Sequence, residues 1–213
     1  MARKSVPTRR SRLVAARQRM YRQLVFESAE QLFARKGFDD TTMQEIAAEA
    51  GMSLKTLYAT VPGKRELHEE VLEVRGRQFM EATAQGIEEG DSALQALNHG
   101  VRAYVHFLVE NEEYLRIHLR EARAWSLPQP GAGELDREQG EALFTSVIKA
   151  GIEQGAFYEG DAHTMALTGM AVMQAHLERV AEGIHDVATE ALADEVLISL
   201  RRLLCRPEAQ TAR

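Results

Sequence analysis

The chain has 213 residues, of which 45% are hydrophobic and 27% charged, with a formal net charge of −6. This composition is typical of an ordinary globular protein of one or two domains. No apolar run approaches the ~18 residues that span a bilayer. No apolar signal core follows the basic N-terminus, and the single Cys205 excludes an internal disulfide. We therefore expect a cytoplasmic protein with no membrane partner.

The charges are unevenly distributed along the chain. Residues 1–26 contain eight arginines and lysines and no acidic residue, whereas residues 71–213 contain 13 basic and 23 acidic residues, a balance of −10. A basic beginning before an acidic remainder predicts that the first part of the chain meets a polyanion. The alternative is a solvated basic tail without a partner.

Long proline-free stretches rich in Ala, Leu, Glu, Gln and Arg indicate an all-α chain of about nine helices. A flexible basic arm is predicted over 1–16, and a first helix from about Arg17 to Arg35, where Gly37 ends it. The break at Pro62 and Gly63 limits an N-terminal domain to 17–63 and leaves a second domain over 64–213. The later helices are predicted near 42–51, 53–60, 64–87, 92–110, 111–125, 134–154, 161–182 and 186–205, with a loop at 126–133.

The segment from Thr42 to Thr60 has the spacing of a helix-turn-helix motif. Thr42 and Glu45 form a capping box at the start of one short helix, Gly51 ends that helix, and Ser53 begins the next. The second helix of such a motif can lie in a DNA major groove. A tight corner of two helices with a purely structural role has the same spacing, so this alternative stays open.

Several side chains in this segment carry groups that bind DNA. The hydroxyls of Ser53, Thr56, Tyr58 and Thr60 can bond phosphate or base edges, and Lys55 can reach a phosphate or guanine. The free N–H groups at the helix start by Thr42 suit one phosphate. Lys64, just beyond the motif, is predicted to hold the flanking backbone.

Four linked runs resemble the TetR family of transcriptional regulators: VFESAEQLFARKGF over 25–38, TTMQEIA over 41–47, GMSLKTLY over 51–58 and PGKREL over 62–67. The resemblance implies an N-terminal three-helix DNA-binding domain followed by a C-terminal helical bundle. It also implies that Thr42, Ser53, Thr56, Tyr58 and Lys64 contact phosphates, and that Lys55 and Ala59 approach bases.

The end of the motif departs from the family pattern, which commonly has aromatic residues at 59–61. Here Ala59, Thr60 and Val61 stand instead, so the backbone contact at 60 is in doubt and Ala59 is limited to apolar contact with a thymine methyl. The N-terminal arm is expected to compensate. Its Arg9, Arg10 and Arg12 are predicted to enter a neighbouring minor groove.

In the family, the C-terminal part carries a dimer face and a ligand pocket. The resemblance implies a homodimer through the last two helices that reads two half-sites of a double-stranded operator. Candidate surface positions on the eighth helix are Leu167, Met170, Ala171, Gln174, Leu177 and Glu178. The ninth helix has an apolar stripe of Leu192, Val196, Leu200 and Leu203. Such a stripe is also typical of ordinary core.

A pocket for a small apolar or amphipathic effector is predicted from aromatic, methionine and a few polar side chains in the same part. Its candidates are Tyr104, Phe107, Leu115, His118, Trp125, Phe144, Met170 and Met173. A filled core is the alternative for each of them. The resemblance implies that effector binding releases a repressor from DNA, although activation is equally compatible with the residues.

The sequence contains no catalytic or metal-binding pattern. His68 is not followed by the second histidine of a zinc-protease helix, and Glu182 with His185 lacks the second copy that a di-iron bundle needs. We therefore expect no enzyme activity, cofactor or metal. The alternative to a regulator is a helical adaptor or ligand-binding bundle whose motif at 42–60 is structural.

Overall fold

A computed structural model describes residues 9–123, 134–183 and 188–207. Within these ranges the chain forms nine α-helices and no strand beyond an isolated bridge between Phe157 and Cys205. The prediction of an all-α fold is confirmed. The helices are α1 (Arg9–Lys36), α2 (Met43–Glu49), α3 (Leu54–Tyr58), α4 (Lys64–Gln85), α5 (Ala93–Glu110), α6 (Glu112–Arg123), α7 (Glu134–Glu153), α8 (Ala162–Ala181) and α9 (Thr189–Leu204).

The chain divides into two compact units, one ending at Val71 and the other beginning at Leu72. The division falls inside α4, eight residues after the limit that the break at Pro62 and Gly63 predicted. The reason is that Leu67 and Val71, on the first two turns of α4, are buried. The start of α4 therefore completes the hydrophobic core of the first unit.

The start of α1 differs from the prediction of a flexible arm over 1–16. Residues 9–16 of that segment are helical and continuous with the rest of α1. The physical reason is composition, because Arg, Ala and Leu are strong helix formers and no Gly or Pro stands between Pro7 and Gly37. Gly37 then ends the helix with a positive φ of 86°.

Local capping accounts for most of the other helix ends. Ser92 and Gln95 form a reciprocal capping box at the start of α5, and the Asp161 carboxylate accepts a hydrogen bond from the Thr164 N–H at the start of α8. These starts match the sequence prediction. The predicted loop at 126–133 lies outside the described residues. Over the described ranges, no helix is both long and apolar enough to cross a membrane.

The core of the second unit is built by α5, α6, α7, α8 and α9, together with Phe79 of α4. Two glycines allow aromatic side chains to approach helix backbones: Phe144 packs on Gly169, and Phe157 packs on Gly151. Leu192, Val196 and Leu200 of α9 are also buried here. The apolar stripe of the ninth helix is therefore core of its own chain, except for the more exposed Leu203.

Candidate DNA interface and ligand-binding region

The helix-turn-helix frame consists of α2, a turn at Gly51 and α3. Gly51 has a φ of 64°, a left-handed conformation that favours glycine. The N–H of Met52 donates to the carbonyl of Ala47 and closes the end of α2. Ser53 then caps α3 by accepting from the Thr56 N–H at 3.1 Å. The described geometry agrees with the predicted frame.

The start of α2 is occupied by a carboxylate of the chain itself. Glu45 accepts from the Thr42 N–H at 2.9 Å and from the Thr42 hydroxyl at 2.9 Å. The Lys36 ammonium and these Thr42 groups lower the pKa of Glu45 to about 2. The capping box that marks the helix start thus uses the N–H of Thr42 itself, and the phosphate contact predicted at this helix start stays a prediction.

One side of α3 is anchored in the first unit and the other is open to solvent. Leu57 on α3 and Val61 beyond it are buried, whereas Lys55, Tyr58 and Ala59 are exposed. These exposed groups, an ammonium, a phenol and a methyl, are chemically able to contact phosphate, base edges and a thymine methyl. Of the other predicted DNA contacts, Thr42 and Ser53 are also exposed.

The remaining hydroxyls of the motif bond within the chain. Ser53 and Thr56 share a hydrogen bond of 2.8 Å between their hydroxyl oxygens. The Thr60 hydroxyl donates to the Thr56 carbonyl at 2.9 Å. Only one hydroxyl of the Ser53–Thr56 pair donates in this bond, so the other keeps its proton for a phosphate oxygen. The Thr60 hydroxyl donates its proton to the end of its own helix, which argues against a hydrogen bond from this group to the DNA backbone.

Lys64, predicted to contact phosphate, is held by the loop after α1. Its ammonium donates to the carbonyls of Phe38 at 2.7 Å and Asp39 at 3.2 Å. It also lies 4.3 Å from the centre of the Phe38 ring, within cation–π range. We call Lys64, Phe38 and His68 the Lys64 brace. It joins the start of α4 to the loop between α1 and α2.

His68 completes the brace between two phenyl rings. Its ring centre is 4.9 Å from that of Phe33 and 4.8 Å from that of Phe38. Burial, together with the Lys64 charge, lowers the pKa of His68 to about 4, so the ring is neutral near pH 7. Sequence reasoning missed this role. The sequence did contain a signal for this packing role. His68 stands beside Leu67 and one turn before Val71, both of which are buried on α4.

In the second unit, five aromatic rings from α4, α5 and α6 form one group, here called the aromatic cluster. Phe79 lies at its centre, with ring-centre distances of 5.2 Å to Tyr104, 5.6 Å to Phe107, 6.4 Å to Tyr114 and 5.7 Å to His118. Three of these five were predicted to line the pocket. Phe79 and Tyr114 were missed.

The aromatic cluster is uncharged near neutral pH. Burial lowers the pKa of His118 to about 4, and burial raises the pKa of the Tyr104 phenol above its usual range. Both side chains therefore carry neutral polar groups within a largely apolar cluster. Such surroundings suit an uncharged group, or the apolar part of an amphipathic molecule, better than an ionic group.

The other predicted pocket residues divide by burial. Leu115 and Met173 are buried in the core, and Phe144 and Met170 are partly buried against it. Trp125 lies outside the described residues. In the described ranges, no group of three or more His, Cys, Asp or Glu side chains is arranged to hold a metal ion.

The outer sides of α8 and α9 expose apolar side chains. Leu167 on α8 and Ile198 and Leu203 on α9 are 38–50% exposed, and Ala171 is also exposed. In contrast, Leu177 of the predicted interface is fully buried, because it faces the core, about 80° around α8 from Leu167. Ile198 was missed because it lies outside the periodic stripe of α9.

Two family models match the chain. One, described as "Bacterial regulatory proteins, tetR family", matches residues 25–71. The other, described as "Tetracyclin repressor-like, C-terminal domain", matches residues 69–178, which is 110 of the 213 residues. No curated protein matches the chain.

Solved structures share the fold along most of the chain. A ketosteroid transcriptional regulator, KstR2 of Mycobacterium tuberculosis, has a TM-score of 0.73 at 19% identity and covers 87% of this chain and 95% of its own. A regulatory protein in the tetR family from Rhodococcus RHA1 has a TM-score of 0.72 at 23% identity and covers 87% of this chain and 98% of its own. AibR, solved with isovaleryl coenzyme A and operator DNA, has a TM-score of 0.71 at 16% identity and covers 85% of this chain and 97% of its own.

Proposed function

This chain belongs to the TetR family of bacterial transcriptional regulators, and we propose that it is a repressor that a small apolar or amphipathic ligand releases from a palindromic operator. We assign it no catalytic reaction and place it in the cytoplasm, where its operator would be. The observation that carries the proposal is the exposed side of α3. Lys55, Tyr58 and Ala59 face solvent from a helix that Leu57 anchors beneath them.

DNA binding is tested by gel shift on the DNA upstream of the protein's own gene, with an excess of unrelated DNA as competitor. We expect a specific complex that weakens as salt rises. A double variant, Lys55→Ala with Tyr58→Ala, should lose it. The matched control, Lys149→Ala, changes one exposed lysine of the second unit. If the wild-type chain forms no specific complex, the proposal is wrong.

We propose that the chain acts as a homodimer through α8 and α9. Leu167 on α8 and Ile198 and Leu203 on α9 support this, because each is a large apolar side chain exposed on one of these two helices, and an interface would cover such side chains. A dimer also explains the reading of two half-sites about 34 Å apart. In analytical ultracentrifugation, Leu167→Glu with Ile198→Glu should sediment as a monomer, whereas Leu13→Glu should not. An unchanged dimer in the double variant contradicts the assignment.

The effector is proposed to bind at the aromatic cluster. Neutral Tyr104 and His118 beside the Phe79 and Phe107 rings support a largely apolar ligand with one or two hydrogen-bonding groups. Two structural neighbours were solved with small molecules, isovaleryl coenzyme A in AibR and choline in a regulator from Saccharomonospora viridis. A thermal-shift screen of uncharged and charged compounds on the wild type and on Tyr104→Phe tests the site. A hit that is unaffected by Tyr104→Phe and Phe107→Ala would place the effector elsewhere.

A further inference from the structure

The first four and a half turns of α1, residues 9–24, form a helix without a core. We call this segment the N-terminal extension. None of its side chains is buried, and Val25 is the first residue of α1 that is. At 1.5 Å per residue the extension is about 24 Å long. Leu13 is 63% exposed and Met20 54% exposed. The first unit therefore does not stabilise this stretch by packing.

The charge of the extension makes it still less stable alone. It contains six arginines and no acidic residue. An isolated helix of this length is marginal in water, and like charges three residues apart, as at Arg9 and Arg12, destabilise it further. Arg22 is an exception, because it forms a two-bond ion pair with Glu70 at 3.0 and 2.8 Å. Within the described residues, Arg9, Arg10, Arg12 and Arg19 have no recorded hydrogen bond or ion pair. A polyanion would supply the missing counter-charge.

The arginines form two rows on opposite sides of the helix. Arg10 and Arg12 are two residues apart, and the same pair of residues recurs seven positions later at Arg17 and Arg19. Two residues correspond to about 160° around an α-helix, while seven positions return to nearly the same direction. One row is therefore Arg10 with Arg17, and the other is Arg12 with Arg19.

This distribution distinguishes between possible partners. A helix that lies on a membrane has one charged and one apolar side, whereas the arginines here lie on both flanks. A groove of duplex DNA, by contrast, has phosphates along both walls. The major groove is about 12 Å wide and admits an α-helix of about 10–12 Å diameter, but the minor groove is only about 6 Å wide. A helical extension therefore fits the major groove and is too wide for the minor groove, whereas the contact of the Arg9, Arg10 and Arg12 side chains with a minor groove stays a prediction.

We propose that the N-terminal extension binds, as a helix, in the major groove of DNA next to the bases contacted by α3. Its two arginine rows contact phosphates on opposite walls of that groove. This inference rests on the proposed DNA-binding function and adds a second interface to it. The contacts are with phosphates, so they raise affinity without adding sequence preference.

The test removes each row separately. The two variants are Arg10→Gln with Arg17→Gln, and Arg12→Gln with Arg19→Gln. Each removed phosphate contact lowers the slope of log affinity against log salt by about 0.9, so each variant should lower it by about 1.8 per bound protomer. Between 50 and 200 mM salt, the wild type should then lose about 12-fold more affinity per protomer than either variant. The control, Arg77→Gln with Arg116→Gln, makes the same charge change in the second unit and should keep the wild-type slope.

The helical requirement has a separate test. Ala16→Pro keeps every charge and interrupts the extension at an exposed position. If the extension binds as a helix, this variant should weaken binding about as much as the loss of one arginine row. Unchanged binding would overturn the helical mode and favour an extended arm.

Four other outcomes would overturn the proposal. An effect of only one row indicates a flat binding surface instead of a groove. If both row variants keep the wild-type salt slope but no longer sediment together with phosphatidylglycerol vesicles, as the wild type does, the partner of the extension is a membrane. If both row variants keep the wild-type slope while Lys55→Ala with Tyr58→Ala loses the complex, this inference fails and the proposed function stands. Absence of any specific wild-type complex refutes both.

Discussion

Replacing Lys64 by methionine separates a structural role from a DNA contact. Methionine keeps most of the side-chain length but removes the ammonium that donates to the carbonyls of Phe38 and Asp39. A hydrogen bond to a charged group contributes about 1.5–3 kcal/mol to stability, and an exposed one contributes less. The bond to Phe38 is part-buried and the bond to Asp39 is exposed, so we count about 1.5 kcal/mol for both. The cation–π contact with Phe38 adds about 0.5 kcal/mol.

The expected result is a loss of about 2 kcal/mol in the free energy of unfolding. It is measured by urea denaturation followed by circular dichroism at a single pH and salt concentration. The slope of DNA affinity against salt should stay at the wild-type value. Lys55→Met is the matched control, because Lys55 is exposed on α3. It should leave unfolding within about 0.5 kcal/mol of wild type and weaken DNA binding.

An unchanged free energy of unfolding together with a lowered salt slope in Lys64→Met would refute the structural role of the Lys64 brace. If Lys64→Met unfolds like the wild type but lowers the salt slope, its ammonium leaves the two carbonyls for a phosphate in the complex. The sequence-based assignment would then be right, and the contacts described above would belong to the free protein only.

Two further perturbations follow from the second unit. The pKa of His118 is lowered to about 4 by burial, so the contribution of His118 to stability should be constant above pH 6.5 and fall as pH drops from 6.5 towards 4, because in this range only the unfolded chain binds the proton. His68, whose pKa is also lowered to about 4, adds a fall of the same sign. At pH 5 the loss from His118 is about 2 kcal/mol, and urea denaturation of His118→Leu should show a flatter pH profile in this range. Gly151→Ala should cost about 1–3 kcal/mol, because a Cβ there would lie 2.1 Å from the Phe157 ring. Gly140→Ala on the same helix meets Met80 at 3.5 Å, an ordinary contact, and should be neutral or slightly stabilising. Equal melting temperatures of the two glycine variants would contradict the packing argument.

The elements that the sequence predicted well are those set by neighbouring residues. A capping box and a glycine with positive φ act within four residues, so the starts of α2 and α5 and the turn at Gly51 follow from local chemistry. The predicted start of α1 at about Arg17 was wrong, because the dense run of arginines before it was interpreted as a flexible arm. Helix propensity alone favoured the helix that is found.

The contacts that the sequence did not reveal join distant positions. Lys64 bonds carbonyls 26 and 25 residues earlier in the chain, and no spacing rule predicts such a pair. The stripe of Leu192, Val196 and Leu200 was ambiguous because a buried core face and an interface have the same periodicity. Only the fold shows that these three are covered by their own chain, and that Ile198 faces outwards.

The small exposed surface of α3 leads to one last prediction about specificity. Of its exposed side chains, Lys55 is the one cation and suits guanine acceptors, Tyr58 offers one hydroxyl, and Ala59 can offer only a methyl. Base reading therefore depends on few groups, while the arginines of the N-terminal extension contribute phosphate contacts. On a panel of operators with single base changes, Lys55→Met should reduce discrimination at one position by about 1–3 kcal/mol, whereas Arg12→Gln with Arg19→Gln should weaken all operators by one common factor. If the arginine variant instead changes the order of preference among operators, the extension reads bases and the division of roles between the two helices is wrong.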